Sequence, residues 1–447
     1  MLNAIFERFV ENIPLTVMVR SILERIFAPA ALDAWFEETA EKQYTRELLF
    51  STVVSLMSLV VMGSYPSVSA AYKGFEKVIG VSKVALYAKI NGMEPKVAQG
   101  LVRHTSEQLL GIQLEFPGAN VQILPGYEIR IIDGNHIAGT EHRLQVLRSE
   151  SAGALPGQAL AVLDPQRELV VDVFPEEDGH AQERLLLSEV LQRVQAQEVW
   201  IADRNFCTND FLTGLYRKQA FFVIREHQGL GWTEMSPLQS IGHNESGELF
   251  EQTVQLTNGL LVRRVVINLK QATRHGDKQV AIISNLPVNM ATSTIAELYL
   301  KRWKVETMFQ VITDTFHCEL NTLGYPRAAL FVFCMALVSF NVLSTVRAAL
   351  KQVHGQETIE RELSNYYVVE DVQSTWRGME IAIPAKDWRV FVQMSLAEFI
   401  ESLLNCANKV NLKRFRKSPR GPKKPTTKKK FDPKHPHVST ARLLKNR

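Results

Sequence analysis

The sequence YEIRIIDGN, residues 127–135, marks the point at which a helical chain changes to an α/β fold. Its alternating and then continuously apolar residues predict a strand over Tyr127–Ile132 that ends at a turn, Asp133-Gly134-Asn135. Further short strands and amphipathic helices follow in the order strand, strand, helix, strand, helix, strand: Leu160–Leu163, Leu169–Phe174, Gln182–Val194, Glu198–Ala202, Asn209–Gln219 and Ala220–Arg225. A hairpin-rich start followed by βαβ units predicts an α/β (α+β) core that begins within residues 116–225.

Upstream of this point, residues 1–115 have the periodicity of helices throughout. An amphipathic helix is predicted over Leu32–Arg46. The stretch Leu48–Met62 carries no charge, but its interspersed Ser and Thr favour a buried core helix over a membrane span. Ser82 is a suitable N-cap for a helix within Val81–Met93. This unit has the size of a helix-turn-helix, so the region is a candidate for binding DNA ends, with simple helix packing as the alternative.

Downstream, residues 226–290 have the pattern of β-hairpins. The predicted strands Thr253–Leu256 and Leu260–Ile267 flank Thr257-Asn258-Gly259, and Asn-Gly is a strong hairpin signal. A further strand is predicted over Lys278–Ser284. We therefore expect a β-rich insertion between the two parts of an α/β core.

The remainder of the chain is predicted to be helical up to a basic tail. Residues 291–350 would hold the second part of the core, and residues 351–408 a helical C-terminal region with helices over Ile359–Leu404. The uncharged run Ala328–Val346 is long enough to span a bilayer, but its polar residues and ordinary flanks favour a helix buried under a sheet.

The composition indicates a globular protein of two to four domains, with 447 residues of which 46% are hydrophobic and 22% charged. The Cys residues are scattered without metal-like spacing, which is typical of a reduced, cytosolic compartment: Cys207, Cys318, Cys334 and Cys406. The first thirty residues show no secretory signal.

The net charge of +4 conceals a strong asymmetry. Residues 409–447 hold 15 Lys and Arg against one acid, which leaves 36 basic and 46 acidic groups, or −10, in the rest of the chain. A basic, Pro-rich tail on an acidic body predicts a disordered arm that binds a polyanion, and nucleic acid is the favoured partner. A solubilising tail without a ligand is the alternative. The candidate DNA contacts in the tail are Lys423, Lys424, Lys428, Lys429 and Lys430.

A second stretch carries candidate chemistry: AELYLKRWKVETMFQVITDTFHCEL, residues 296–320. Its apolar spacing predicts one helix, and Tyr299, Arg302, Glu306 and Thr313 would share one of its faces. A carboxylate held beside a guanidinium suits phosphodiester chemistry, because the carboxylate can bind Mg²⁺ and the arginine can hold a phosphate oxygen. The alternative is an ordinary surface Arg–Glu pair.

Two aspartates strengthen the chemical interpretation. Asp133 and Asp203 each follow an apolar predicted strand, and ligands of open α/β sheets collect at the carboxyl ends of strands. Together with Glu306 they would form a cluster of three acids, which is reasonable only around cations. Two divalent ions, Mg²⁺ by preference, would suit phosphoryl transfer at such a cluster. Taken singly, Asp133 could be a turn residue and Asp203 a helix cap.

These residues resemble the signature of the IS4 family of insertion-sequence transposases, which belong to the DDE class and have an RNase H-like catalytic core. Asp133 in IIDGN is similar to the first family aspartate, Asp203 in VWIADRNF to the second, and Tyr299, Arg302 and Glu306 to the motif Y-x2-R-x3-E. The β-rich insertion before the glutamate is also a family feature. One residue departs from the pattern: Thr313 occupies the position of a signature lysine.

The resemblance implies DNA cleavage at transposon ends and strand transfer with two Mg²⁺ ions, or Mn²⁺ as a substitute. It further implies double-stranded DNA as the partner, a homodimer in the DNA complex, and a cytoplasmic, nucleoid-associated protein of a prokaryote. In a hairpin route, Trp232 would stack on a flipped base, and the alternative is that Trp232 packs in the insertion's own core. Trp303 is predicted to pack in the core beneath the helix.

Histidines near the predicted site have no metal-like pairing, and we expect them to be surface or supporting groups: His136, His142 and His180. Two other functions stay open at this point. The chain could be a metal-dependent nuclease or resolvase on the same fold, or a DNA-binding protein whose catalytic core has decayed, with Thr313 as a sign of decay. An integral membrane protein is the remaining alternative, on account of Ala328–Val346.

Overall fold

The computed structural model of the chain describes residues 4–43, 45, 47–118, 122–137, 144–147, 154–273, 276–320, 322–418 and 438–445. Within these residues one large mixed sheet carries a hydrophobic core on each face. The larger core joins the sheet to the N- and C-terminal helices, and the smaller one lies beneath short helices on the opposite face. The predicted α/β class is therefore confirmed.

Helices fill the described part of the N-terminal region. In chain order they are α1 (Ala4–Asn12), α2 (Pro14–Ile26), α3 (Pro29–Thr39), α4 (Phe50–Val61), α5 (Val68–Ile79), α6 (Lys83–Asn91) and α7 (Pro95–Leu114). Ser82 caps α6 by accepting a hydrogen bond from the Ala85 N–H, as predicted. The predicted helix Leu32–Arg46 is too long, because the backbone N–H groups of residues 41–43 donate to the Glu94 carboxylate instead of continuing α3.

The strands follow a change of period near residue 127, as expected. In chain order they are β1 (Glu128–Ile137), β2 (Ala154–Leu155), β3 (Gly157–Asp164), β4 (Leu169–Glu176), β5 (Glu198–Ala202), β6 (Phe221–Arg225), β7 (Trp232–Glu234), β8 (Gln239–His243), β9 (Gly247–Leu256), β10 (Leu261–Leu269), β11 (Gln279–Ser284) and β12 (Val438–Ser439). The prediction for β5 agrees with the structure at both ends.

The core of the sheet has the order β4-β3-β1-β5-β6. β1 pairs antiparallel with β3, and β3 antiparallel with β4, whereas β1, β5 and β6 run parallel. Three antiparallel strands followed by two parallel ones, the latter reached through helices, form the RNase H-like core that the family resemblance implies.

The β-rich insertion is not a separate sheet. β11 pairs antiparallel with β6, and β10, β9 and β7 continue outward from it, with β8 also paired to β9. The hairpin between β9 and β10 turns at Asn258-Gly259, where Gly259 has φ +85°. Residues with this backbone conformation are rarely other than Gly, which is why the Asn-Gly signal was reliable.

Two helical layers cover the sheet. α8 (Leu187–Arg193) and α9 (Asn209–Arg217) lie over the smaller core, and a 3₁₀ turn over Glu183–Leu186 replaces the first part of the predicted helix Gln182–Val194. On the other face lie α10 (Thr292–Leu300), α11 (Trp303–Thr315) and the long α12 (Pro326–His354).

The helix α12 is the centre of the larger core. By length and composition alone it could cross a membrane, but the most apolar 18-residue window is wholly buried inside the protein. The Asn341 side chain accepts from the Val170 N–H (2.7 Å) and donates to the Val170 carbonyl (2.8 Å), which attaches α12 to β4. The prediction of a helix buried under a sheet is confirmed.

The predicted helical C-terminal region, residues 351–408, is helical in the structure. Its helices are α13 (Gln356–Glu362), α14 (Asn365–Ala382), α15 (Ala385–Trp388), α16 (Val390–Gln393), α17 (Leu396–Lys409) and α18 (Thr440–Lys445). The prediction that residues 409–447 are disordered throughout is wrong at both ends. Leu412–Phe415 forms a 3₁₀ turn with Phe415 buried, and β12 pairs in parallel with β2 while Arg442 forms an ion pair with Asp178 at 2.7 Å.

Candidate active site

Asp133 and Asp203 lie side by side on neighbouring parallel segments. Ile131 of β1 stands opposite Ile201 of β5, and each aspartate is two residues further along its segment. Neighbouring strands are about 4.8 Å apart, and residues two apart point to the same face. Because Ile131 and Ile201 both belong to the larger core, both aspartates face the side of the sheet on which α11 packs.

The two aspartates are held in different ways. The sequence predicted that Asp133 ends a strand, but Asp133 lies inside β1. The strand continues to Ile137 because it pairs with β3. The turn-residue alternative for Asp133 is thereby excluded. Asp203 directly follows β5 and caps a 3₁₀ turn over Arg204–Phe206, with its Oδ1 accepting from the Asn205 N–H at 2.7 Å. Asp203 therefore caps this turn, as the alternative interpretation held, and also lies beside Asp133 in the site.

Glu306 reaches the aspartates from α11. The predicted single helix over residues 296–320 is divided, since α10 ends at Leu300 and α11 begins at Trp303. Between them the N–H groups of Lys301 and Arg302 donate to carbonyls three residues back, which tightens the chain into a 3₁₀-like turn. Arg302 lies at this turn, directly over the acids.

Arg302 joins the acidic residues of the site. One terminal nitrogen lies 3.4 Å from Asp133 Oδ2 and the other 2.7 Å from Glu306 Oε1. The Arg302 side chain is 13% exposed, so these contacts are only weakly screened by water. Its Nε–H is buried and has no hydrogen-bond acceptor within the described part of the chain. Burial raises the pKa of the Tyr299 phenol against the opposing effect of the nearby Arg302 guanidinium, which keeps the phenol neutral.

The electrostatics of Asp133 show that the three acids share one site. Burial raises the pKa of Asp133 to about 7, and the negative charges of Asp203 and Glu306 act in the same direction. The Gly134 N–H, 2.9 Å from Asp133 Oδ1, and the Arg302 guanidinium oppose this rise. Asp133 therefore lies close enough to Asp203 and to Glu306 for both charges to act on it.

The site fits a divalent cation by its donor chemistry. Within the part of the chain that the structure describes, no three His, Cys, Asp or Glu side chains stand as a ready metal-binding group, and Arg302 lies between Asp133 and Glu306 instead. The donors are nevertheless carboxylate oxygens, which Mg²⁺ and Mn²⁺ prefer. Added positive charge would also relieve the crowding that raises the pKa of Asp133.

The two tryptophans of interest lie in different environments. Trp232 donates from Nε1 to Glu226 Oε1 at 2.7 Å, and the Arg264 guanidinium lies 5.0 Å from its ring centre, so it packs within the insertion. The prediction that Trp303 is a core residue is wrong, since it is 51% exposed and contacts the Arg302 guanidinium at 5.3 Å. The buried stripe of α11 is formed by other residues: Val305, Met308 and Ile312.

The other predicted residues lie away from the acids or outside the described residues. Thr313 is exposed, and its hydroxyl donates to the Phe309 carbonyl of its own helix. His136 and His180 are exposed, in agreement with a surface position. The remaining predictions lie outside the described residues: His142, Lys423, Lys424, Lys428, Lys429 and Lys430.

Sequence reasoning missed Glu183 and Asn205, which support the aspartates. The Asn205 side-chain amide donates to Glu183 Oε2, and the Asn205 backbone amide is the donor to Asp203. The only sequence signal was the position of Asn205 two residues after an aspartate, which is typical of a side-chain-capped turn. Nothing local marks Glu183, because it is twenty residues upstream of Asp203.

Residues 124–341, just under half of the chain, match the family described as the transposase DDE domain. The matched segment contains all three acids of the site. Fold, site and match together support a transposase of the DDE class, a class that generally uses divalent metals.

A similar solved structure is that of a piggyBac transposase in a synaptic complex with hairpin DNA, with 10% sequence identity, 86% of each chain covered and a TM-score of 0.42. No curated protein sequence matches the chain.

Proposed function

We propose that the chain is an insertion-sequence transposase of the IS4 family, which cuts the DNA ends of its element and joins them to target DNA. The observation that carries the proposal is the meeting of Asp133, Asp203 and Glu306, from three separate segments, around Arg302. Three carboxylates beside one guanidinium leave an excess of negative charge, and this repulsion is unfavourable unless a further cation binds. The family match to a transposase DDE domain supports the same chemistry.

Asp133, Asp203 and Glu306 would hold two Mg²⁺ ions, with Mn²⁺ as a substitute. When bound, such ions activate an attacking oxygen and stabilise a leaving oxygen in phosphoryl transfer. Arg302 would bind a phosphate oxygen of DNA through its guanidinium, whose Nε–H has no acceptor among the residues that the structure describes. Tyr299 lies close enough to the guanidinium for the two groups to interact.

DNA binding and assembly complete the proposal. The basic residues of the tail, Lys423, Lys424 and Lys428–Lys430, would contact the phosphate backbone, so that affinity falls steeply with salt. We propose a homodimer in the DNA complex, since two DNA ends must be joined, and a cytoplasmic, nucleoid-associated location in a prokaryote. In a hairpin route Trp232 remains the proposed base-stacking residue.

The test is a cleavage and strand-transfer assay on DNA from either side of the coding sequence, with Mg²⁺ or with a chelator. We expect cleaved and joined products that need the metal and disappear in Asp203→Asn. The control is Asp210→Asn, an exposed residue in the first turn of α9, which should act as the unchanged protein does. Retention of both products by Asp203→Asn would refute the proposal.

The same assay separates the two alternatives. A nuclease or resolvase would give metal-dependent cleavage without joined product when a free 3′-hydroxyl end is supplied. A decayed DNA-binding protein would bind the end DNA without cutting it. Thr313 favours the second alternative only weakly, because its hydroxyl is engaged with its own helix and the acids are all present.

A further inference from the structure

Glu183 connects the two segments that carry the aspartates. It lies in the 3₁₀ turn before α8, and its Oε2 accepts the hydrogen bond from the Asn205 side chain. The neighbouring residue, Arg184, donates from Nε to the Asn205 carbonyl at 2.7 Å. Asn205 is therefore held at its side chain and at its backbone by two consecutive residues.

The same carboxylate lies against the first aspartate segment. A Cβ added to Gly134 would come within 1.9 Å of Glu183 Oε1 and 2.7 Å of Glu183 Cδ. Gly134 directly follows Asp133 in β1, and its φ angle is not in the positive range. Gly is therefore required at position 134 because Glu183 approaches so closely, and not because of the backbone conformation.

The two contacts together form a connected path. Asp203 Oδ1 accepts from the Asn205 N–H at 2.7 Å, Asn205 binds Glu183, and Glu183 covers the backbone of Gly134 beside Asp133. A rotation of Asp203 would break the bond to Asn205, and loss of Glu183 would leave the Asn205 amide without this acceptor. The carboxylate therefore fixes the 3₁₀ turn that presents Asp203.

We propose that Glu183 is a positioning residue, which holds the turn of Asp203 against β1 through Asn205 and so sets the geometry of the acidic site. This inference rests on the proposed function, because it gives Glu183 a role in cation binding by Asp133 and Asp203. Residues that orient metal ligands change metal affinity or activity by about 10- to 100-fold when they are replaced. Glu183 acts through Asn205, so we expect a change near the lower limit, about tenfold.

The test uses the full chain without DNA and measures Mn²⁺ binding by electron paramagnetic resonance. Glu183→Ala removes the acceptor and should weaken Mn²⁺ binding about tenfold, whereas Glu183→Gln keeps an acceptor oxygen and should stay within about threefold of the unchanged protein. Gly134→Ala should displace the carboxylate and weaken binding as Glu183→Ala does. Glu189→Ala is the matched control, since Glu189 is an exposed glutamate on the adjoining helix α8.

A second measurement needs no metal. Hydrogen–deuterium exchange over residues 203–207 should be faster in Glu183→Ala than in Glu183→Gln or Glu189→Ala, because the turn has lost its support. A double variant that exchanges the donor and acceptor residues tests whether the effect depends on the hydrogen bond between Asn205 and Glu183. Asn205→Asp alone sets two carboxylates against each other and should weaken Mn²⁺ binding, and adding Glu183→Gln restores a donor–acceptor pair and should recover it.

The outcomes distinguish this inference from the proposed function. If Glu183→Ala binds Mn²⁺ as the unchanged protein does, or if Glu183→Gln is as weak as Glu183→Ala, the positioning role is refuted. If Glu183→Ala does not fold, Asn205→Ala removes the same bond from the other side, and unchanged Mn²⁺ binding in that variant refutes the role equally. If Asp203→Asn loses Mn²⁺ binding but Glu183→Ala does not, the positioning role is refuted and the proposed function stands. If Asp203→Asn binds Mn²⁺ as the unchanged protein does, the positioning role and the proposed function are both refuted.

Discussion

Arg302 supplies positive charge to Asp133 and Glu306, so its removal should destabilise the metal-free protein and make stability depend on Mg²⁺. The informative variant is Arg302→Gln, which keeps a polar side chain but removes the charge. In the structure the guanidinium contacts Asp133 at 3.4 Å and Glu306 at 2.7 Å. The variant would leave Asp133 and Glu306 without the counter-charge that they share.

The size of the effect follows from the burial of these contacts. Removing one partner of a buried ion pair costs about 3–5 kcal/mol, and removing an exposed pair about 0–1 kcal/mol. Because the Glu306 side chain is 38% exposed, the lower end of the first range, about 3 kcal/mol, is expected. With an unfolding entropy of about 2.1 cal/mol/K per residue over 447 residues, this lowers Tm by about 3 °C.

The assay is thermal unfolding with a chelator and with Mg²⁺. At about 100 times its dissociation constant, an ion that binds only the folded state adds about 2.7 kcal/mol. This gain should be larger in Arg302→Gln than in the unchanged protein, where the ion competes with Arg302 for the same carboxylates. The control is Arg361→Gln, because Arg361 also pairs with a glutamate one helical turn away but is 66% exposed, so its loss should cost less than about 1 kcal/mol.

Two results would refute this reasoning. One is an unchanged Tm of Arg302→Gln in chelator, which would mean that Arg302 does not stabilise the acidic cluster. The other is an equal gain from Mg²⁺ in both proteins, which would mean that the ion and Arg302 do not share carboxylates. Adding Asp203→Asn to Arg302→Gln should remove the extra response to Mg²⁺.

Three further predictions concern the surroundings of the site. Burial favours a raised pKa of Glu168, but two cations of α12, Arg347 and Lys351, hold that pKa at about 2. Glu168→Gln should therefore lower the free energy of unfolding by about 3 kcal/mol above pH 5. In denaturant titrations this difference from the unchanged protein should vanish as the pH falls from about 4.5 towards 2, because Glu168 then loses its charge in the folded protein as well. Asn341→Leu leaves the buried N–H and carbonyl of Val170 unpaired and should cost about 2–4 kcal/mol by the same titration. Trp303→Ala should change the free energy of unfolding by less than about 1 kcal/mol, whereas a core tryptophan would cost about 3–5 kcal/mol.

The parts of the fold that the sequence predicted well are those with a strong local signal. Both ends of β5 were predicted correctly, because a short apolar run there is bounded by polar residues. The Asn-Gly hairpin and the Ser82 cap rest on the chemistry of single residues, which acts over a few positions. The burial of α12 could be inferred because its polar residues suit a protein core better than lipid.

The parts that could not be predicted depend on contacts between distant segments. β1 runs past Asp133 only because β3 pairs with it, and α3 ends early because Glu94, over fifty residues downstream, binds its following N–H groups. Trp303 is a different case, because helical periodicity puts it on the side of α11 opposite Val305 and Met308, so its predicted burial disagreed with the apolar stripe itself. The docking of β12 on β2 joins residues far apart in the chain, so no local pattern could reveal it.

The acidic site survives its own repulsion because each acid is attached to a rigid element. Asp133 lies in a strand paired on both sides, Asp203 follows the adjoining strand, and Glu306 extends from a helix whose opposite face is buried. Burial, together with the charges of Asp203 and Glu306, raises the pKa of Asp133 to about 7, and acids on loops would move apart under such repulsion. The sheet therefore holds the acids in a cluster that binding of cations can only stabilise. For this reason Asp203→Asn should abolish cleavage without lowering Tm in chelator, since the substitution removes a repelling charge and leaves the sheet unchanged.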